Sequence, residues 1–231
     1  MARTVRAVSL TCYVEVARFV GLDPHAMLRA HGISPRQLEN PEWRIDAAAA
    51  VSLLEETAAR AGRQDIGILM AQCRSFASLG PLSLLIEHVA TPRAAIAALN
   101  EFRHLLNALF ALHHEEHGET AIIRCDILSA DAGLQVSSNA VAILFRTLSD
   151  SSGGRWQPDA VHFTYPRPAD IGTFSAYFQC PVEFDSSFEG MTCARRLLDV
   201  ANPRADPLLA RHARALLELM PAPPAAADSV L

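Results

Sequence analysis

The chain has 231 residues, of which 50% are hydrophobic and 19% are charged, and its net charge is −5. This balance supports a packed core and excludes a generally disordered protein. Every basic side chain apart from the histidines is an arginine, and the arginines form no basic run, so the chain is a poor candidate for holding nucleic acid by itself.

Membrane insertion and secretion are not expected from the apolar runs of the sequence. Runs such as residues 139–145 are far too short to cross a bilayer. Tyr13, Glu15 and Arg18 interrupt the segment behind the N-terminal arginines, so we expect no signal peptide and a cytoplasmic location. The five cysteines are scattered without a CxxC pair, which indicates reduced thiols instead of a disulfide framework or a zinc ribbon.

Helix start and stop signals dominate the first third of the chain. Asp23 followed by Pro24 is typical of an N-cap with proline at the first helical position. Asp46 and Gly62 bound an alanine-rich segment as its N-cap and its terminal glycine. Together these signals predict helices over residues 10–21, 23–32 and 46–62, and residues 34–40 repeat the start signal for a short turn.

The remainder mixes helices with extended segments. Helices are predicted over residues 65–73, 80–90, 91–112, 133–150, 170–178 and 205–220, and strands over 158–165 and, as a pair, within 181–193. Two extended runs flank Gly118 and predict a hairpin near 108–128. The predicted fold class is therefore α+β, with an N-terminal helical segment packed on an α/β core that has a small mixed or antiparallel sheet including this hairpin.

Residues 113–119 read HHEEHGE and carry three histidines and three carboxylates. A zinc-protease motif needs H-E-x-x-H on a helix, and His114 to His117 is one residue too short. His113 and His117 are four residues apart, but the hairpin removes the helix that would bring them together. We interpret the stretch as the solvated end of a hairpin and predict no metal site.

Sequence motifs of catalysis are absent. The chain contains no G-x-S-x-G, no P-loop and no G-x-G-x-x-G. We therefore predict that the protein is not an enzyme and that it needs no cofactor.

Polar side chains near apolar stretches are candidates for ligand binding, since a few such groups orient a small molecule in an apolar pocket. The alternative for each residue is that it points to solvent, caps a neighbouring helix or packs in the core. The candidates are Arg103, His104, Asn107, Arg146, His162, Tyr165 and Tyr177.

An ordered series of small, apolar and proline positions carries a resemblance to a known family. Residues 21–45 contain Gly21-Leu22, Pro24, Leu28, Gly32-Ile33, Leu38, Pro41 and Arg44-Ile45, and residues 65–99 contain Gly67, Leu79-Gly80-Pro81, Ala90-Thr91-Pro92 and Ala95. Residues 156–168, 177–199 and 201–209 continue the series. In this order they resemble the arabinose-binding-type ligand-sensing domain of one branch of the AraC/XylS transcriptional regulators, over about residues 10–220.

The sequence departs from the family pattern at three positions. Asp46 stands where a proline is common, Ser83 where a second glycine is common, and Tyr165 where a histidine is usual. Asp46 is still a competent N-cap. These differences caution against carrying over ligand contacts from the family.

The resemblance implies an effector-binding and dimerisation domain over residues 1–220, with a helical subregion over 8–62 and an α/β subregion over 63–220. Residues 221–231 would form a linker toward a C-terminal domain with two helix-turn-helix units, absent from these residues, through which alone the protein would contact DNA. The implied partners are a small-molecule effector and a second copy of the chain. Two alternatives remain open, a small-molecule enzyme or carrier acting through Arg103, His104 and Arg146, and a ligand-free dimerisation module.

Overall fold

The computed structural model describes residues 4–106, 110–127 and 133–220. The first of these ranges contains four N-terminal helices, and the predicted capping residues Asp23, Asp46 and Gly62 stand at the ends of two of them. The Asp23 side chain accepts the backbone N–H groups of His25 and Ala26, and the Asp46 side chain accepts that of Ala49. Gly62 ends the fourth helix with a φ of +64°, as the glycine signal predicts. The helices are α1 (Tyr13–Phe19), α2 (Pro24–Ala30), α3 (Pro35–Glu39) and α4 (Ala47–Ala61), preceded by a 3₁₀ turn over Ala7–Leu10.

Two short strands, which no sequence pattern predicts, join the beginning of the described residues to the start of α4. Strand β1 (Thr4–Arg6) pairs antiparallel with β2 (Arg44–Asp46), with Val5 opposite Ile45. Each strand has three residues, which is too short for an alternating pattern to be recognised in one sequence.

The next helices lead to the sheet. They are α5 (Ile66–Cys73), α6 (Leu82–His88) and α7 (Pro92–Glu101), with 3₁₀ turns over Phe76–Leu79 and Arg103–Leu105. The prediction of one helix over 91–112 is wrong beyond Glu101, because the residues from Phe110 onward belong to a strand. Pairing across the hairpin buries Leu112 opposite Cys125, a contact that a helix could not make.

A five-stranded mixed sheet forms the second half of the fold. Its strands are β3 (Phe110–His117), β4 (Thr120–Ile127), β5 (Ala160–His162), β6 (Val182–Glu183) and β7 (Gly190–Ala194), in the order β3-β4-β7-β5-β6. The predicted hairpin is confirmed, with Gly118 at a φ of +62° in its turn. The two strands expected within 181–193 exist but do not pair with each other, since β7 lies between β4 and β5 while β6 runs parallel to β5.

Helix α8 (Leu134–Asp150) is the central helix against which other elements pack. It approaches α5 closely at Gly67, whose N–H donates to Gln135 Oε1 at 2.9 Å and whose carbonyl accepts from Asn139 Nδ2 at 2.9 Å. The chain is completed by α9 (Gly172–Phe178), a 3₁₀ turn over Arg195–Asp199 and α10 (Pro207–Glu218).

The apolar side chains form two cores, and together with the mixed sheet they confirm the α+β class. The first core contains Tyr13, Leu28 and Leu53 from the N-terminal helices. The second, larger core contains Trp156 and Phe163 around the sheet. Across the described ranges, no helix combines the length and hydropathy that crossing a membrane requires.

Candidate ligand-binding cavity

A cavity of about 170 Å³ lies where the two cores meet. Val5, Leu10 and Leu54 of the first core line one side, and Leu99 and Leu144 of the second core line the other. A molecule in this space would therefore touch both halves of the fold at once.

Helical spacing brings the two main walls together. On α4, Ala47, Ala50, Val51 and Leu54 recur at intervals of three and four residues, which places them on one face toward the cavity. The small alanine side chains on this face leave room that leucine would fill. Helix α8 supplies the opposite wall through Val136, Asn139, Ala140, Ile143 and Thr147, which have the same kind of spacing.

Arg6 brings a charged group to the cavity from β1. Only 5% of its surface is exposed. Its Nη1 donates to the carbonyl oxygen of Leu105 at 2.5 Å, and its Nη2 forms an ion pair with Glu42, whose own side chain is 58% exposed. Arg6 thus links the first strand to the 3₁₀ turn after α7.

Arg74 brings a second guanidinium to the same wall, directly after α5. It is 8% exposed, its Nη2 donates to the carbonyl of Val8, and its Nη1 lies 3.5 Å from Asn139 Oδ1. Burial, together with the positive charge of Arg6, lowers the pKa of Arg74 to about 10 although Cys12 acts in the opposite direction. Among the described residues, no acceptor reaches the Nε atom of either arginine.

Sequence reasoning missed both arginines. Arg6 lies in an N-terminal segment whose pattern bears only on targeting, and Arg74 follows the predicted helix 65–73 without any motif around it. The apolar helix that ends at Cys73 is the one signal that could have drawn attention to a charged residue at its boundary.

The structure places Arg103, His104 and Arg146 outside the set of residues that line the cavity. Arg103 and His104 are exposed on the 3₁₀ turn after α7, and Asn107 lies outside the described residues. Arg146 donates from Nη1 to the carbonyls of Arg74 and, at 3.4 Å, of Ala71. It therefore caps the end of α5 and supports the backbone of Arg74.

The remaining three candidates lie around the second core. Tyr165 shares a hydrogen bond of 2.6 Å with Ser138, and the Tyr177 hydroxyl donates to the carbonyl of Ala142 at 3.0 Å. Burial raises the pKa of Tyr177 to about 12. His162 packs on the ring of Phe188 with 4.7 Å between centroids, and burial lowers its pKa. These hydrogen bonds and ring contacts are intramolecular, and a ligand-binding role for the seven candidates stays a prediction.

The HHEEHGE stretch forms the end of β3 and its turn. Glu116 pairs with Arg93 and, at 2.6 Å, with Arg195, which fastens the hairpin to α7 and to the 3₁₀ turn after β7. The neighbouring Arg93 guanidinium lowers the pKa of Glu116. Each histidine of the HHEEHGE stretch contacts one carboxylate, as His117 Nε2 contacts Glu115 Oε2 at 3.3 Å. Within the described residues, no three histidine, cysteine or acidic side chains converge as a metal site would require.

Comparisons with known proteins find transcription regulators to which the chain is similar. It is 25% identical over 224 residues to the HTH-type transcriptional regulator VirS of Mycobacterium tuberculosis, in both strain CDC 1551 / Oshkosh and strain ATCC 25618 / H37Rv. The match covers 93% of this chain and 64% of VirS, so the chain spans less than two thirds of the length of these relatives. The crystal structure of the transcriptional regulator CdpR from Pseudomonas aeruginosa shares the fold, with a TM-score of 0.57 at 17% identity over 83% of this chain and 60% of CdpR.

A family model matches most of the chain and agrees with these relatives. The model describes the arabinose-binding domain of AraC transcription regulators, found at their N-terminus, and it matches residues 21–202. The matched range runs from the end of α1 to the segment before α10. The chain therefore belongs to the family of N-terminal arabinose-binding domains of AraC transcription regulators.

Proposed function

We propose that this chain is the effector-sensing domain of an AraC-type transcription regulator and that the effector occupies the cavity between the two cores. The observation that carries the proposal is the position of the cavity, because its walls come from both cores. A ligand that prefers one relative arrangement of the cores would shift the population toward that arrangement. The protein would bind the effector without converting it.

The output of the sensor would be DNA binding by a separate domain. The net charge of −5 and the lack of a basic run support DNA contacts outside these residues. The curated relative VirS is named as an HTH-type regulator and is longer than this chain. We accordingly propose that α10 leads toward a C-terminal DNA-binding domain and that the protein works in the cytoplasm.

Filling the cavity tests the sensor proposal. We expect some members of a metabolite library to raise the melting temperature of the wild-type chain, because a ligand that binds only the folded state stabilises it. In Ala50→Leu, whose added carbons would occupy the cavity, these shifts should disappear. The measurement is thermal denaturation of both proteins with each compound, followed by recovery of the compound unchanged.

Ala59→Leu is the matched control, because Ala59 lies on the same helix but is exposed. It should keep every shift that the wild-type chain shows. If no compound stabilises the wild type, or if Ala50→Leu responds like Ala59→Leu, the cavity is not an effector site.

We also propose that the chain dimerises through α10. Leu219 is 81% exposed, and Leu208, Leu209 and Leu216 are also exposed and lie with the exposed His212 on the same side of the helix. Arg211, Arg214 and Glu218 lie on another side. Two copies of a mainly apolar face, with these charged side chains on another side, can pack on each other in a symmetric dimer.

A charge on this face should break the dimer. We expect Leu216→Glu to be monomeric at concentrations at which the wild type is dimeric, as measured by light scattering coupled to size exclusion. Arg211→Glu places the same charge on another, exposed side of the helix and should remain dimeric. A monomeric wild type, or a dimer that survives Leu216→Glu, would refute this interface.

A further inference from the structure

Two buried arginines line a cavity whose other walls are mainly apolar. Arg6 and Arg74 are 5% and 8% exposed, and both line the space. They are close enough that the charge of Arg6 disfavours the charged form of Arg74. Most of the remaining lining is aliphatic, including Leu54, Leu99 and Ile143.

The charges around these arginines do not balance. Glu42 pairs with Arg6 from an exposed position. Arg74 is held by the Val8 carbonyl and by the more distant Asn139 side chain, and within the described residues it has no carboxylate partner. Two positive charges and one negative charge leave one buried positive charge. A buried cation without a counterion is costly, so a site of this kind favours one added negative charge.

We propose that the cavity binds a small monocarboxylate, with its carboxylate between Arg6 and Arg74 and its apolar body between α4 and α8. This inference rests on the proposed function and specifies the chemical class of the effector. The Nε atoms of the two arginines are buried and have no hydrogen-bond partner among the described residues, so each guanidinium has an N–H donor left to satisfy. A carboxylate accepts from guanidinium N–H groups in a geometry that fits both partners.

The cavity volume sets the size of the apolar body. An engineered protein cavity of about 150 Å³ binds benzene, and the cavity here has about 170 Å³. A single ring or a short aliphatic chain therefore matches the space. A sugar fits it poorly, because its hydroxyls would lie against apolar walls without hydrogen-bond partners.

Pairs of compounds with the same shape, one a carboxylate and the other its neutral amide, isolate the effect of the ligand's charge on affinity. We expect phenylacetate to bind wild-type protein at neutral pH at least about tenfold more tightly than phenylacetamide, because hydrogen bonds to a charged group are the stronger ones. Hexanoate should likewise exceed hexanamide, and L-arabinose should not bind. Isothermal titration calorimetry measures each affinity, and none of these comparisons requires a variant.

Variants of the protein then test whether Arg74 supplies the positive charge that binds the carboxylate. Arg74→Met should reduce the affinity for phenylacetate by about tenfold or more while leaving that for phenylacetamide unchanged. Arg74→Gln, which keeps a donor for the Val8 carbonyl, should do the same and covers the case in which Arg74→Met does not fold. Arg29→Met removes an exposed arginine from α2 and should bind phenylacetate as the wild type does.

The outcomes separate the anion proposal from the sensor proposal. If the amides bind as well as the carboxylates, or if carboxylate binding survives both Arg74 variants, the anion proposal is wrong. If no carboxylate binds but other compounds stabilise the wild type and not Ala50→Leu, the anion proposal falls while the cavity remains the sensor site. If neither the probes nor any library compound binds in a manner that Ala50→Leu abolishes, both proposals fall.

Discussion

Replacing Gly67 by alanine is expected to lower the free energy of unfolding by about 3 kcal/mol, near the upper end of overpacking effects. A Cβ atom at position 67 would lie 2.1 Å from the backbone oxygen of Gln135 and 3.0 Å from the backbone nitrogen of Asn139. Both atoms belong to the α8 backbone, which cannot rotate away as a side chain can. Helices α5 and α8 would have to separate, and the hydrogen bonds between Gly67 and α8 would lengthen.

Urea denaturation of Gly67→Ala against the wild type measures this effect. The melting temperature should fall by roughly 6–12 °C, given the usual relation for chains of this length. Because α8 forms one wall of the cavity and Arg74 follows α5, the variant should also lose the ligand-induced stabilisation proposed above.

Gly172→Ala is the control for the substitution itself. Gly172 also lies in a helix, is exposed, and its added Cβ would meet only Asp170 Oδ1, at 3.1 Å, on a side chain that can move. We expect Gly172→Ala to change the free energy of unfolding by no more than about 1 kcal/mol. Equal stabilities for Gly67→Ala and Gly172→Ala would mean that α5 and α8 are not packed as closely as the structure has them.

Replacing Asn202 by alanine is expected to cost about 2–3 kcal/mol of unfolding free energy, because it removes the donor from one buried and one partly buried carbonyl group. Asn202 Nδ2 donates to the carbonyls of Glu87 at 2.9 Å and Val89 at 2.8 Å, and its Oδ1 accepts from the backbone N–H of Arg204. One buried side chain therefore closes the end of α6 and shapes the turn that leads into α10.

Chemical denaturation of Asn202→Ala measures the loss of unfolding free energy. Limited proteolysis should show faster cleavage in the turn around residue 202, just before α10. Asn202→Asp should be no better than alanine, since a carboxylate cannot donate to the two carbonyls. Asn40→Ala removes an exposed asparagine with a single acceptor contact, to the Glu42 N–H, and should cost less than about 1 kcal/mol. If Asn202→Ala loses no more unfolding free energy than Asn40→Ala, the buried amide of Asn202 is dispensable for stability.

Local signals account for the parts of the fold that the sequence predicted well. Asp23, Asp46 and Thr91 cap helices through hydrogen bonds to residues two or three positions away, and Gly62 and Gly118 adopt the positive φ that their turns require. All the groups in such contacts are close along the chain. A single sequence therefore contains the information needed to predict them.

The boundary between α7 and the hairpin shows where local signals fail. Residues 91–112 have helical spacing throughout, yet the helix ends at Glu101 and Leu112 joins a strand. Leu112 and its neighbours form a strand because they pair with β4 and are buried against the second core. These tertiary contacts outweigh the local preference for a helix. The insertion of β7 between β4 and β5 is decided in the same way.

The sequence by itself determined the α+β class, most helix boundaries, the hairpin and the resemblance to the regulator family. Only the tertiary structure decided the pairing of β1 with β2, the strand order and the cavity with its two arginines. The physical reason is the range of the contacts, since Arg6 meets the carbonyl of Leu105 across 99 positions and Arg74 meets that of Val8 across 66. An arginine becomes a buried, partly unpaired cation through what folds around it, and no pattern of neighbouring residues records that environment.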